Sequence, residues 1–295
     1  MRKFSSLALI AAFPLLGAFQ DTQIRVDVEA VNVFVTVMDK QGRFVTNLDQ
    51  DRFILYEDGV PQEITNFSRE TDLPLRIGLL IDTSSSVRLK LDFEKRAAGN
   101  SIRAVTRRTD QALLVDFDHG TSLVQDFTHR PSDIIEKVDL LRAGGGTSMW
   151  DALYTVARDK MTDRDARKTI VIVSDGEDRN SKVGFDDTLQ MIQASEVTVY
   201  GIGTSKFGAS SNKQGEENLK KLAEETGGAA FFPYSAELLD EAFDRIDQEL
   251  RSQYSLTFVP RDRVPDGRFR QLEVRIVDGK DYRLRHRKGY RLPDF

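Results

Sequence analysis

Between about residues 73 and 252 the chain alternates strand patterns with amphipathic helix patterns, and this alternation constrains the fold most strongly. The first strand, Leu75 to Ile81, is an almost continuous apolar run, which is typical of a strand covered on both faces. Helical spacing follows it, and the same pair of patterns then recurs. We therefore predict an α/β fold with a doubly wound, mostly parallel, six-stranded sheet. The predicted strands cover 75–81, 111–117, 122–127, 169–174, 198–203 and 229–233, and the helices 90–108, 132–141, 149–161, 186–194, 216–226 and 236–250.

The segments on either side, 21–72 and 253–295, carry strand patterns alone. Apolar residues alternate over 24–28 and again over 31–37, and Asp58-Gly59 is typical of a tight hairpin turn. Each segment is too small to hold a hydrophobic core alone. We predict that the two pair into one small all-β domain, with the α/β domain inserted between them. Separate β additions, each lying against the α/β domain, are the alternative.

Residues 1–20 have the pattern of a cleaved secretory signal peptide. Arg2 and Lys3 give a basic start, and the apolar run from Leu7 to Ala18 is shorter than the roughly 20 residues that cross a bilayer. No later apolar span predicts a membrane anchor, so we expect an exported protein of the periplasm or the extracellular space. The chain contains no cysteine, which excludes disulfides, thiolate metal sites and a lipid-attached cysteine.

The charge balance gives no reason to expect a nucleic-acid partner. The formal net charge is −5, and it becomes −7 when the basic start is removed with the signal. The sequence also lacks the signatures of two enzyme classes. It contains neither the G-x-S-x-G of serine hydrolases nor the G-x-x-x-x-G-K-[ST] of nucleoside triphosphatases.

Oxygen-bearing side chains follow two of the predicted strands. Asp82, Ser84 and Ser86 come directly after the first strand, and Asp175 follows the strand that ends near Ser174. Thr147 comes after three glycines and just before a predicted helix. Because the carboxyl ends of parallel strands meet at one edge of a sheet, we expect these loops to lie together. Oxygen ligands suit a hard cation, most simply Mg²⁺, with Mn²⁺ or Ca²⁺ as alternatives.

This three-part pattern resembles the metal-ion-dependent adhesion site (MIDAS) of the von Willebrand factor A domain family, which has a Rossmann-like fold. The resemblance covers about residues 74–252, and the flanking segments are similar to those of bacterial exported proteins built around such a domain. It implies that Ser84, Ser86 and Thr147 supply hydroxyl ligands, with Asp82 and Asp175 near the ion directly or through water. It also implies a non-enzymatic adhesion or protein-interaction module that binds an Asp or Glu of a partner protein.

The donor types support this interpretation on physical grounds. Neutral hydroxyls leave a divalent ion under-neutralised, so the ion still attracts one more anionic oxygen at an open position. Trp150, Glu177 and Asp178 are the predicted rim of the partner contact. The alternatives are that Trp150 is buried against the sheet and that the two acids form a solvated loop.

Two other functions stay open at the sequence level. The chain could be a structural scaffold with a vestigial metal site. It could also be a Mg²⁺-dependent phosphatase with Asp82 as nucleophile and Asp175 as metal ligand. That chemistry needs a second carboxylate two residues after the first as general acid, and Ser84 occupies that position.

Overall fold

The computed structural model describes residues 30–69, 73–163, 166–205, 212–262, 264–279 and 281–292. The predicted signal peptide and the predicted strand over 24–28 lie outside these ranges. The strands are β1 (Val31–Met38), β2 (Phe53–Glu57), β3 (Val60–Gln62), β4 (Ile64–Ser68), β5 (Leu75–Asp82), β6 (Gln111–Phe117), β7 (Thr121–Thr128), β8 (Arg167–Ser174), β9 (Val197–Gly203), β10 (Ala230–Phe231), β11 (Tyr254–Phe258), β12 (Phe269–Ile276), β13 (Arg283–Arg285) and β14 (Gly289–Arg291). The α-helices are α1 (Leu91–Val105), α2 (Pro131–Val138), α3 (Met149–Asp159), α4 (Phe185–Ala194), α5 (Lys213–Thr226) and α6 (Ala236–Arg251).

The central sheet has the strand order β10-β9-β8-β5-β6-β7. All its pairings are parallel except that of β7 with β6. Apolar faces of α1, α2 and α6 form the core on one side of the sheet, and those of α3, α4 and α5 form the core on the other. The predicted doubly wound six-stranded fold is therefore confirmed. None of the helices in the described ranges combines the length and apolar character that crossing a bilayer requires.

Strands from the two ends of the chain pair with each other in two antiparallel sheets. β1 pairs with β11 and β13, and β2 pairs with β12. The sheets have the orders β13-β1-β11-β4 and β14-β12-β2-β3, and they share one hydrophobic core. The terminal strands thus form the predicted small all-β domain, and the alternative of separate β additions is wrong. Asp58 and Gly59 form the predicted hairpin turn between β2 and β3, both with positive φ (47° and 78°).

A buried polar cluster joins the two domains where α6 ends and β11 begins. The Glu249 carboxylate is fully buried, and it accepts hydrogen bonds from Thr36 Oγ1 (3.0 Å) and Arg285 Nη2 (2.9 Å). Arg167 at the start of β8 donates to the Leu250 carbonyl (2.7 Å). Burial raises the pKa of Glu249, and the Arg285 charge opposes that rise. Because these partners come from both domains, the cluster fixes the β domain at the edge of the central sheet opposite the strands' carboxyl ends.

Candidate metal centre

The first loop of the candidate site begins at the last residue of β5. Asp82 is fully buried there, and its Oδ1 accepts a hydrogen bond from the Ser84 amide (2.9 Å). A short 3₁₀ turn over Ser85–Val87 follows and turns the chain outward toward α1. In this turn Ser84 Oγ lies 2.9 Å from Ser86 Oγ, with Ser84 buried and Ser86 exposed. The chain thus passes from a fully buried carboxylate at Asp82 to an exposed hydroxyl at Ser86.

Ser174 connects this loop to the end of the neighbouring strand. β5 and β8 are adjacent and parallel, so their last residues meet at the same edge. The Ser174 hydroxyl donates to Asp82 Oδ2 (2.7 Å), and Asp175 follows it with only 7% of its surface exposed. Asp175 Oδ1 accepts from the Glu177 amide (3.1 Å), which fixes that carboxylate at the start of the loop.

The glycine loop that carries Thr147 is fixed between the other loops. The Gly144 amide donates to the Thr83 carbonyl (2.8 Å), and the Ser85 amide donates to the Gly145 carbonyl (3.2 Å). The Thr147 amide donates to Asn180 Oδ1 (3.0 Å), and the Thr147 carbonyl accepts from the Asn180 amide (2.9 Å). The structure therefore brings the five predicted ligands, Asp82, Ser84, Ser86, Thr147 and Asp175, onto three hydrogen-bonded loops at one edge of the sheet.

The donor set fits a small oxygen-binding cation. Adjacent ligands of an octahedral Mg²⁺ at about 2.1 Å are about 3.0 Å apart. The 2.9 Å between the Ser84 and Ser86 hydroxyls matches that separation. In the part of the chain that the structure describes, no three His, Cys, Asp or Glu side chains are grouped so that they could hold a metal.

Burial raises the pKa of two carboxyls at or near this edge. Burial raises the pKa of Asp82 from 3.8 to about 6, with the Asp175 charge adding to the rise and the Ser84 and Ser174 hydrogen bonds opposing it. Glu94 on α1 is fully buried, and both its oxygens lack a hydrogen-bond partner among the described residues. Burial raises its pKa well above the ordinary value, and the nearby Asp82 charge adds to this. A bound cation would offset the cost of ionising Asp82.

The prediction that Trp150 lies on the rim is wrong. Trp150 is 7% exposed and packs edge-on against Phe185 of α4, because the apolar stripe of α3 faces the sheet. Asp178 is also structural, since its Oδ2 caps α3 by accepting from the Trp150 amide (3.0 Å). Glu177 does lie partly exposed beside the site, paired with Arg179 (2.8 Å).

Three residues at the site were missed by the sequence reasoning. Asn180 holds Thr147, and His119 Nδ1 accepts from the Gly146 amide (3.1 Å). Both lie on loops about 30 residues away from the glycine loop, without a spacing that would mark them. Glu94 lies in an amphipathic helix pattern, and only its position on the buried face could have drawn attention to it.

Comparison with known proteins agrees with this geometry. Residues 77–245 match the von Willebrand factor type A domain. Similar solved structures include a von Willebrand factor type A protein from Catenulispora acidiphila (TM-score 0.51, 18% identity, 77% of this chain and 51% of that one). Another is proximal thread matrix protein 1 from the mussel byssus with zinc in its MIDAS motif (0.53, 16%, 64% and 48%). An aerotolerance-related membrane protein from Bacteroides fragilis is a third (0.51, 16%, 60% and 98%). No curated protein sequence matches this chain.

Proposed function

From the fact that the chain belongs to the von Willebrand factor type A domain family, we propose that it is a non-catalytic protein-interaction module. In this proposal a divalent cation binds at the edge formed by the three loops and holds an Asp or Glu side chain of a partner protein. We further propose that the cation is Mg²⁺ and that the protein acts in adhesion outside the cytoplasm, as the pattern of residues 1–20 suggests.

The pair of hydroxyls at the mouth of the site is the observation that carries this proposal. Ser84 and Ser86 offer two neutral oxygens 2.9 Å apart, Ser86 is exposed, and the two carboxylates named as ligands, Asp82 and Asp175, are buried. Neutral ligands do not cancel the charge of the ion, so its solvent-facing side keeps its attraction for an anionic oxygen. The exposure of Ser86 allows a partner side chain to reach that side.

Titration calorimetry of the whole chain with Mg²⁺ and with Mn²⁺ tests the metal site. Wild type should bind one ion, and the double variant Ser84→Ala/Thr147→Ala should lose binding because it removes two hydroxyl ligands. Ser85→Ala is the matched control, since Ser85 is exposed and lies between the two ligand serines. Absent binding by wild type, or equal binding by the double variant, would overturn the proposed site.

The partner interaction needs its own test. Proteins captured from a cell-envelope extract in Mg²⁺ should be released by a chelator, and the Ser84→Ala/Thr147→Ala variant should not capture them. Capture that is the same with chelator would contradict binding through the ion, even where calorimetry shows that the ion binds.

A further inference from the structure

A leucine with almost its whole surface exposed lies on the turn that carries two candidate ligands. Leu89 is 98% exposed, the highest value among the large apolar side chains that the structure describes. Residues three apart on a helical turn lie on the same side, about 5–6 Å from each other. Leu89 follows Ser86 by three residues, just after the 3₁₀ turn, and both are exposed, so an occupant of the candidate metal centre that contacts Ser86 can also reach Leu89.

The exposure of Leu89 belongs to a fixed turn. Val87 is fully buried and Leu91 is 5% exposed, so the chain is anchored in the core on both sides of Leu89. The Lys90 amide donates to the Val87 carbonyl (2.7 Å), and Lys90 Nζ donates to the Thr204 carbonyl beyond β9 (2.9 Å). Because these contacts fix the turn, a partner that covers Leu89 has to order only the leucine side chain and not the backbone that carries it.

The charge beside Leu89 has the opposite sign to that of the whole chain. The formal net charge is −5, yet the Arg88 guanidinium is exposed and has no ion pair with any described residue. Two acids of the neighbouring loop are already engaged, since Glu177 pairs with Arg179 and Asp178 caps α3. An acidic partner segment would therefore meet, two residues from Ser86, a guanidinium that no ion pair with a described residue occupies.

We propose that Arg88 and Leu89 select the partner, an inference that rests on the proposed function. The occupant is a segment of a partner protein in which the Asp or Glu that reaches the ion lies within a few residues of an apolar side chain and a second acid. The apolar side chain covers Leu89, and the second acid faces Arg88. Covering a leucine is worth about tenfold or more in affinity.

A phage-displayed library of random twelve-residue peptides tests this selection. The full chain is loaded with Mg²⁺, and bound phage are eluted with a chelator. Eluted peptides should combine an acid with a nearby apolar residue and a second acid. Synthetic copies should bind Leu89→Ser about tenfold more weakly and Arg88→Ser several-fold more weakly than wild type. Both variants should keep the wild-type melting temperature because the changed side chains are exposed, Leu89→Ser should keep wild-type Mg²⁺ affinity, and Arg88→Ser should bind Mg²⁺ at least as tightly as wild type because it removes a positive charge. Val60→Ser, a 44% exposed apolar position on β3 of the β domain, is the matched control.

The outcomes separate this inference from the proposed function. Peptides that elute with chelator but bind Leu89→Ser and Arg88→Ser as tightly as wild type would overturn the inference and leave the function standing. A Mg²⁺-loaded chain that yields no chelator-eluted peptide would overturn both. Mg²⁺-dependent dimerisation that is lost in Leu89→Ser would show that a second copy of the chain covers this surface, and the inference would be wrong.

Discussion

Replacing Asp82 by Asn should stabilise the cation-free protein at neutral pH. Burial raises the pKa of this carboxyl from 3.8 to about 6, so folding is penalised when the group is ionised. The stability contributed by its neutral form is fully present below pH 3.8 and is lost as the pH rises through 6. A carboxyl pKa raised from 3.8 to about 6 corresponds to about 3 kcal/mol of folding free energy above pH 7. Asn is nearly isosteric and uncharged, so the variant avoids this loss.

The midpoint of thermal unfolding, measured in chelator between pH 4 and pH 8, checks this reasoning. The variant and wild type should melt alike near pH 4, and above pH 7 the variant should melt roughly 6–12 °C higher. Added Mg²⁺ should raise the midpoint of wild type more than that of the variant, because binding to the folded state alone stabilises it. Asp240→Asn, at an exposed position on α6, controls for loss of one charge. A difference between variant and wild type that does not change with pH would refute the argument.

Three further substitutions test the supports of the site and the joint between the domains. Gly176→Ala should destabilise the protein by more than about 2 kcal/mol in thermal melts, because φ is +78° and the new Cβ would lie 2.2 Å from a backbone oxygen of α5; an unchanged melt would contradict this. Asn180→Ala should weaken Mg²⁺ binding about tenfold in calorimetry by releasing the glycine loop, and unaltered affinity would show that Asn180 does not position it. Arg285→Met should lower stability by about 3 kcal/mol because it leaves the buried Glu249 carboxylate without its charged partner. Adding Glu249→Gln should recover part of the loss. If the losses of the two single variants simply add in the double variant, the ion pair does not stabilise the protein.

The sheet could be predicted because its strands have strong sequence signals. All eight residues of β8 are buried, and its centre, residues 170–173, is the continuous apolar run that is typical of a strand covered on both faces. The Asp58-Gly59 turn was equally clear, because both of its residues adopt the left-handed conformation. β14 was missed since it has only three residues, Gly289–Arg291, and no visible alternation. Short edge strands are defined by their pairing partner, here β12, more than by their own sequence.

The candidate ligands could be predicted, but the surroundings that fix them could not. The D-x-S-x-S turn and Asp175 follow strands directly, so strand prediction also places them. Whether Trp150 lies on the rim depends on which side of α3 faces the sheet. The apolar stripe of α3 is broad, so its sequence is compatible with Trp150 on the rim or against the sheet. His119 and Asn180 act through contacts between loops that are distant in sequence, and one sequence contains no spacing that reveals such contacts.

The charge state of the Glu94 carboxyl affects the net charge of the candidate metal centre, on which the proposed function depends. With Asp82 and Asp175 ionised, the two carboxylates match the charge of a divalent ion, so a partner's carboxylate is attracted by the ion at close range and not by a net positive charge of the site. An ionised Glu94 would add a third negative charge beneath the ion and oppose a fourth from the partner. The fully buried carboxyl has no hydrogen-bond partner among the described residues, and burial raises its pKa well above the ordinary value. The raised pKa of Glu94 therefore opposes a third negative charge beside the ion, and the apolar face of α1 that buries Glu94 produces that rise.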